Sequence, residues 1–178
     1  MDGLSWRIGG MSLQTPILAA RVSGTHPFKW DGGDANLNTS LTQTVKRLGG
    51  SGITESQALD IASYLKSLPA PRAPTAHSHE AVARGGKLFY SDTVGCGKCH
   101  SGPAYTNGKS YSHLTDDLNK VDTPSLIGLA QSAPYYHDGS ATTLKAVLMG
   151  RGSIHGMGRT GHLKAGEISD LVAFLNTL

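Results

Sequence analysis

Cys96-Gly97-Lys98-Cys99-His100 places two thiols three residues apart, with an imidazole directly after the second. Over one helical turn that spacing brings both sulfurs to one side of the chain. Two such thiols can add to the two vinyl groups of a single porphyrin while the imidazole reaches the iron. C-x-x-C-H is the attachment signature of a c-type haem. The residues therefore call for one covalent haem c, with Cys96 and Cys99 as thioether anchors and His100 as proximal iron ligand. A tethered haem is retained without help from its axial ligands, so the sixth ligand and the local dielectric decide what the iron does. Zinc is the weaker reading, because no second C-x-x-C or H-x-x-x-H cluster completes a tetrahedron. A redox dithiol is weaker still, since the flanking segments are Gly-, Ser- and Thr-rich or helical in pattern rather than βαβ.

The elements that must position this motif occupy 178 residues, enough for one ordinary domain or two small ones around a cofactor. Sixteen basic against thirteen acidic side chains give a formal +3, part of which two haem propionates would offset, so nucleic acid is not implied. No apolar run approaches the length needed to cross a bilayer, and Met1-Asp2-Gly3-Leu4 lacks the basic and apolar regions of an export signal.

An internal echo organises the chain. Thr15-Pro16 through Pro27-Phe28-Lys29-Trp30-Asp31-Gly32 reappears as Thr123-Pro124 through Pro134-Tyr135-Tyr136-His137-Asp138-Gly139, and the segment 53–68 aligns without a gap on 163–178. Both latter segments read as amphipathic helices. In the second, Ile168, Leu171, Val172 and Leu175 form an apolar stripe expected to pack over the helix that leads into the haem motif. Pro69, Pro71 and Pro74 mark an exposed connection, and a helix is expected to open at Ser78 as N-cap and run through Phe89, with Gly85-Gly86 in its middle. The expected domains are a truncated unit at 1–69 without a haem motif, a Pro-rich linker at 70–79, and a haem unit at 80–178. Strand patterns are weak, so the expected class is all-α. The first copy has no cysteine, so either it has lost its cofactor or the chain is a C-terminal piece of a longer protein whose own C-x-x-C-H lies upstream, and the signal-less start favours the expectation of a fragment.

The residues Leu88-Phe89, Cys96 to Pro103, Asp122-Thr123-Pro124-Ser125-Leu126, Ala133 to Ser140 and Asp170 to Leu175 together resemble the di-haem bacterial cytochrome c peroxidases and their relatives, including the di-haem enzyme of methylamine utilisation. The resemblance covers 80–178 well. Residues 13–68 resemble the latter half of a preceding unit more loosely, with Trp30 standing where the second copy has His137. It implies two packed cytochrome c-like helical units, the C-terminal one at the electron-transfer end, in a protein that reduces hydrogen peroxide or a related oxidant. It also implies haem attachment after export, hence a bacterial periplasm or cell surface with the export signal outside this chain. A calcium ion between the units is compatible with it, although no ligand cluster can be assigned. The partner it implies is an electron donor or acceptor protein, or another haem domain of the same protein.

Relatives often take a histidine or methionine from the loop before the last helix as sixth ligand. That ranks His155 first and Met157 next, ahead of Met149 or an open position. Met149 lies in an apparent helix, where a buried core methionine is the commoner role. His137 reads as a histidine that fixes its loop through a propionate or a backbone carbonyl. Arg151 and Arg159 are candidate propionate partners, and His26, His77, His79, His113 and His162 read as surface residues. With both axial positions filled, the chain is an electron-transfer module. With the sixth position open it is a peroxidase-type enzyme, for which no glutamate stands close to the motif as acid. A haem sensor is a weaker third reading, because no output domain is attached.

Overall fold

The computed structural model describes residues 2–74 and 77–178. In chain order it contains β1 (Ser5–Ile8), β2 (Met11–Gln14), α1 (Leu37–Arg47), α2 (Glu55–Ser67), α3 (His79–Tyr90), β3 (Ser110–Ser112), β4 (Lys120–Asp122), α4 (Leu144–Leu148) and α5 (Ala165–Leu175). Short 3-10 turns lie at Cys96–Lys98 and Leu129–Gln131. The helix starts follow from side-chain chemistry. Asn36, Thr54, Ser78 and Thr143 each accept a hydrogen bond from the backbone N–H three residues on, satisfying a donor that the helix leaves unpaired. Thr54 and Gln57 complete a reciprocal capping box. Of the linker 70–79, Thr75 and Ala76 lie outside the described residues.

The all-α expectation is overturned. About a third of the chain is helical, and β1–β2 and β3–β4 form two antiparallel two-stranded sheets, so the fold is mixed α and β. Strands of three or four residues are too short to display a period-2 pattern. One signal was nevertheless present: Gly9-Gly10 joins β1 to β2 with φ of 60° and 86°. Positive φ at both central residues is what a tight hairpin turn requires and what glycine supplies without steric cost.

The core gathers Phe89 and Val94 from the α3 side, Leu126 and Leu129 from the following turn, Leu144 and Leu148 from α4, and Leu171 from α5. Leu171 and Val94 are fully buried. The stripe read on the last helix thus packs against α3 as expected. The two helices cross closely at Gly85, where a Cβ would overlap the Asp170 carbonyl and lie 2.8 Å from Phe174 Cβ. Beside this crossing Arg84 grips Asp170 through two hydrogen bonds of 2.6 and 2.8 Å.

The sequence echo is matched by duplicated geometry. Phe28 bridges Asp34 and Tyr135 bridges Ala141, Lys29 and Tyr136 share positive φ, and α1 and α4 follow at equivalent positions. The copies then exchange contacts reciprocally. Gln14 N donates to His137 O at 2.6 Å, and Asp122 N to Trp30 O at 2.8 Å. Ser5 Oγ donates to Asp138 O at 2.8 Å, and Ser110 Oγ to Asp31 O at 3.2 Å. The hairpin of each copy is therefore seated on the Pro-to-Gly turn of the other, as across an isologous interface.

Gly85→Ala sets a helix-propensity gain of about 1 kcal/mol against an overlap with backbone that cannot move aside. The overlap wins. Thermal or denaturant unfolding should show a net loss of about 2 kcal/mol or more, whereas Gly86→Ala, whose Cβ would sit 3.3 Å from the edge of the Phe174 ring, should be much milder.

Candidate functional site

The motif is delivered by the C-terminal end of α3. Ser91 closes the helix by donating to Leu88 O, Val94 is buried, and Gly95 turns the chain at φ 83° into the Cys96–Lys98 turn. At Gly97 a Cβ would come within 2.8 Å of the Tyr90 ring, so a larger residue there would displace that exposed ring. His100 N donates to Cys96 O at 2.9 Å, so the two ends of the motif are locked together.

His100 is 7% exposed, and its Nδ1 lies 3.1 Å from Tyr105 O. Since a carbonyl only accepts, Nδ1 carries the proton and Nε2 carries the lone pair. Burial lowers the ring's pKa, opposed by the carbonyls of Tyr105 and Pro124, so the neutral, ligating form prevails at neutral pH. Burial also pushes the Cys96 thiol up to about 11, which makes it a neutral thiol rather than a reactive thiolate. Tyr111 stands beside Cys99, and the hydrogen bond between them raises the phenol's pKa. Both cysteines are free and half-buried. Among the described residues no three His, Cys, Asp or Glu side chains converge into a metal cage. Two half-buried thiols one turn apart, beside a neutral imidazole held through Nδ1, fit a covalent haem: Cys96 and Cys99 would hold the porphyrin and His100 its iron. Such a group supplies a one-electron centre.

The candidates for the sixth position lie on a glycine-rich loop that reaches the same place. His155 N donates to Leu114 O at 2.8 Å, and Arg159 N to Val94 O at 2.9 Å. Gly158, at φ 83°, approaches the motif so closely that a Cβ would lie 3.7 Å from Cys96 Sγ. His155 and Met157 are both exposed on this loop, Met157 at 42%. Met149 follows α4 as its C-cap and is 49% exposed, so the buried-core role expected of it does not hold. Arg151 and Arg159 are exposed, as are His26, His79, His113 and His162, whereas His77 is half-buried with Nε2 3.1 Å from Asn176 Nδ2.

His137 is 1% exposed and sits on the seam between the copies, its ring 6.5 Å from Trp30 in an edge-on arrangement. Its Nε2 donates to both carboxylate oxygens of Asp117, at 2.8 and 2.9 Å. The loop-fixing partner is therefore a carboxylate rather than a backbone carbonyl. Asp117 was missed in the sequence because it lies in a polar stretch, Thr115-Asp116-Asp117, with no periodicity to mark it. A second acid on the seam was also missed: Asp122 Oδ1 is buried without a hydrogen-bond partner among the described residues.

No family model matches the chain. It is 28% identical over 145 residues to hydrazine synthase subunit gamma of Kuenenia stuttgartiensis, a match covering 56% of this chain and 41% of that protein. It is 31% identical over 105 residues to cytochrome c551 peroxidase of Nitrosomonas europaea, covering 47% of this chain and 30% of that one. The chain thus spans less than half the length of these curated relatives. The structure of Kuenenia stuttgartiensis hydrazine synthase pressurized with 20 bar xenon superimposes with a TM-score of 0.86 at 21% identity, over 100% of this chain and 77% of that one. A MauG-like protein associated with microbial copper homeostasis gives 0.73 at 20% identity, over 100% and 78%. These likenesses place a cytochrome c peroxidase among the chain's distant relatives and show that its fold is shared with hydrazine synthase and a MauG-like protein. They support haem as the group the motif holds.

Burial raises the Asp122 carboxyl to about 7, opposed by the Thr123 N–H, reinforced by the charge of Asp31 and opposed again by Lys120. Between the ordinary value of 3.8 and about 7 the folded state holds the extra proton, so this group's contribution to stability falls as pH rises through that window. Asp122→Asn should leave Tm nearly unchanged below the window and raise it above, an increment that grows with pH in calorimetric scans. A constant offset would contradict the assignment.

Proposed function

We propose that this chain is a c-type haem protein that transfers electrons, the electron-transfer module of a di-haem cytochrome c peroxidase-like protein. The observation that carries the reading is the lay of the 155–158 loop against Cys96, beside a buried His100 whose Nδ1–H is committed to Tyr105. A loop placed there brings His155 or Met157 to the rim of the site, and a ligand from it closes the iron to peroxide. The domain reading assigns the haem to 80–178 and treats 1–69 as a partner unit without its own motif. Electrons pass to a protein partner or to another haem domain of the same protein. No helix among the described residues is long and apolar enough to cross a membrane. Because haem c is attached after export, the proposed location is the bacterial periplasm or cell surface.

A peroxidase-type enzyme, with the sixth position open to the oxidant, is the second reading. Absorption spectra of the haem-loaded protein, oxidised and reduced, with and without hydrogen peroxide, separate the two. Electron transfer predicts low-spin bands in both states and no fast response to peroxide. The near-infrared methionine-to-iron band should then be present if Met157 is the ligand and absent if His155 is, and alanine at the ligating position alone should produce a high-spin form. A high-spin native protein that reacts with peroxide would establish the enzyme instead.

A further inference from the structure

The two copies differ most in the connection of their hairpins. In the first, the strands are joined by Gly9-Gly10 alone; in the second, by the seven residues 113–119. This longer connection makes two contacts that the two-residue turn of the first copy does not make. At Asp117 it grips the seam histidine, His137, with both carboxylate oxygens within 2.9 Å of Nε2. At Leu114 its carbonyl accepts the His155 N–H at 2.8 Å, and the Leu114 side chain is the neighbour that a Cβ on Gly156 would meet, at 4.0 Å. Thr115 Oγ1 donates to Asp117 Oδ1 at 2.7 Å and braces the span between the two contacts.

We infer that the 113–119 connection is a clamp: the Asp117–His137 pair anchors it to the seam, and the anchored Leu114 holds the loop carrying His155 and Met157 against the haem motif. Asp117 is a positioning residue, acting on the iron's sixth position only through Leu114. The anchor is buried and held on two sides: the His137 ring lies edge-on to Trp30 and its carbonyl accepts from Gln14 N at 2.6 Å. The arm is short, since only Thr115 and Asp116 separate Leu114 from Asp117. Removing the anchor therefore frees the loop selectively, without opening the α3–α5 core. The link from loop to sixth position rests on the haem reading above; the clamp itself does not.

The test is Asp117→Ala in the full chain, with Asp117→Glu as the conservative variant. The Asp117 side chain is 41% exposed, so neither change creates a core cavity. Hydrogen exchange of backbone amides should accelerate about tenfold or more in 113–119 and 153–159 while α3 and α5 keep their native rates, and Asp117→Glu should recover much of the protection. Unchanged exchange in 153–159, or equal acceleration throughout, would overturn the clamp. In the haem-loaded protein, cyanide should associate with the ferric iron about tenfold faster or more in Asp117→Ala. Faster exchange with unchanged cyanide binding would overturn the link to the sixth position. Absence of covalent haem in the native protein would instead sink the haem reading and leave the exchange result to decide the clamp.

Discussion

Everything near the haem motif hangs from the close crossing of α3 and α5. The motif begins seven residues after Phe89, the last buried side chain of α3, and the candidate ligand loop leads into α5 at its N-terminal end. Both halves of the site are thus mounted on one helix pair, and the spacing of that pair is set by Gly85 against the Asp170 backbone. A larger residue would push the helices apart by more than the margin that a loop held by single backbone hydrogen bonds can absorb. The exposed ion pair between Arg84 and Asp170 adds orientation, but by itself is worth little. Apolar burial around Leu171 and Phe89 supplies the larger stabilising contribution.

The seam between the copies has a different character. Backbone groups and serine hydroxyls exchange hydrogen bonds across it in matched pairs, and the Arg21 guanidinium adds bonds to Ile127 O and Ser132 Oγ. Such a surface specifies register strongly, because each N–H has one carbonyl at the right height and a slip would leave several buried groups unpaired. It also tolerates polar neighbours such as Asp122 and His137, which an apolar interface would penalise more heavily.

Much of this is legible in the sequence. The C-x-x-C-H spacing named the motif, the Ser78 cap and the apolar stripe on 168–175 located α3 and α5, and the repeat announced the duplicated turn. The strands were not legible, because three or four residues do not make a period, and only Gly9-Gly10 marks the first hairpin. Glycine has a low helix propensity, yet Gly85 in the middle of α3 is the contact that lets the helices meet. Tertiary contact, which no local propensity scale contains, reverses the sign. Asp117 and Asp122 were invisible for a related reason: a carboxylate in a polar loop carries no local signature of the residue it will face. The fate of Met149 failed on end effects, since its helix stops one residue before it.

The equivalence of Trp30 and His137 shows why a duplicated unit can diverge without losing its assembly. The bonds that seat each turn on the opposite hairpin use the carbonyl oxygens of these two residues, and a carbonyl is indifferent to the side chain it belongs to. The side chains were free to separate in role. Trp30 turns its indole N–H to Gln14 O at 3.0 Å, within its own copy, while His137 turns to a carboxylate from a connection that the first copy lacks. A symmetric backbone scaffold therefore carries an asymmetric pair of side chains at its centre. The asymmetry falls on the copy that bears the cysteines, where a longer hairpin connection has a second loop to hold.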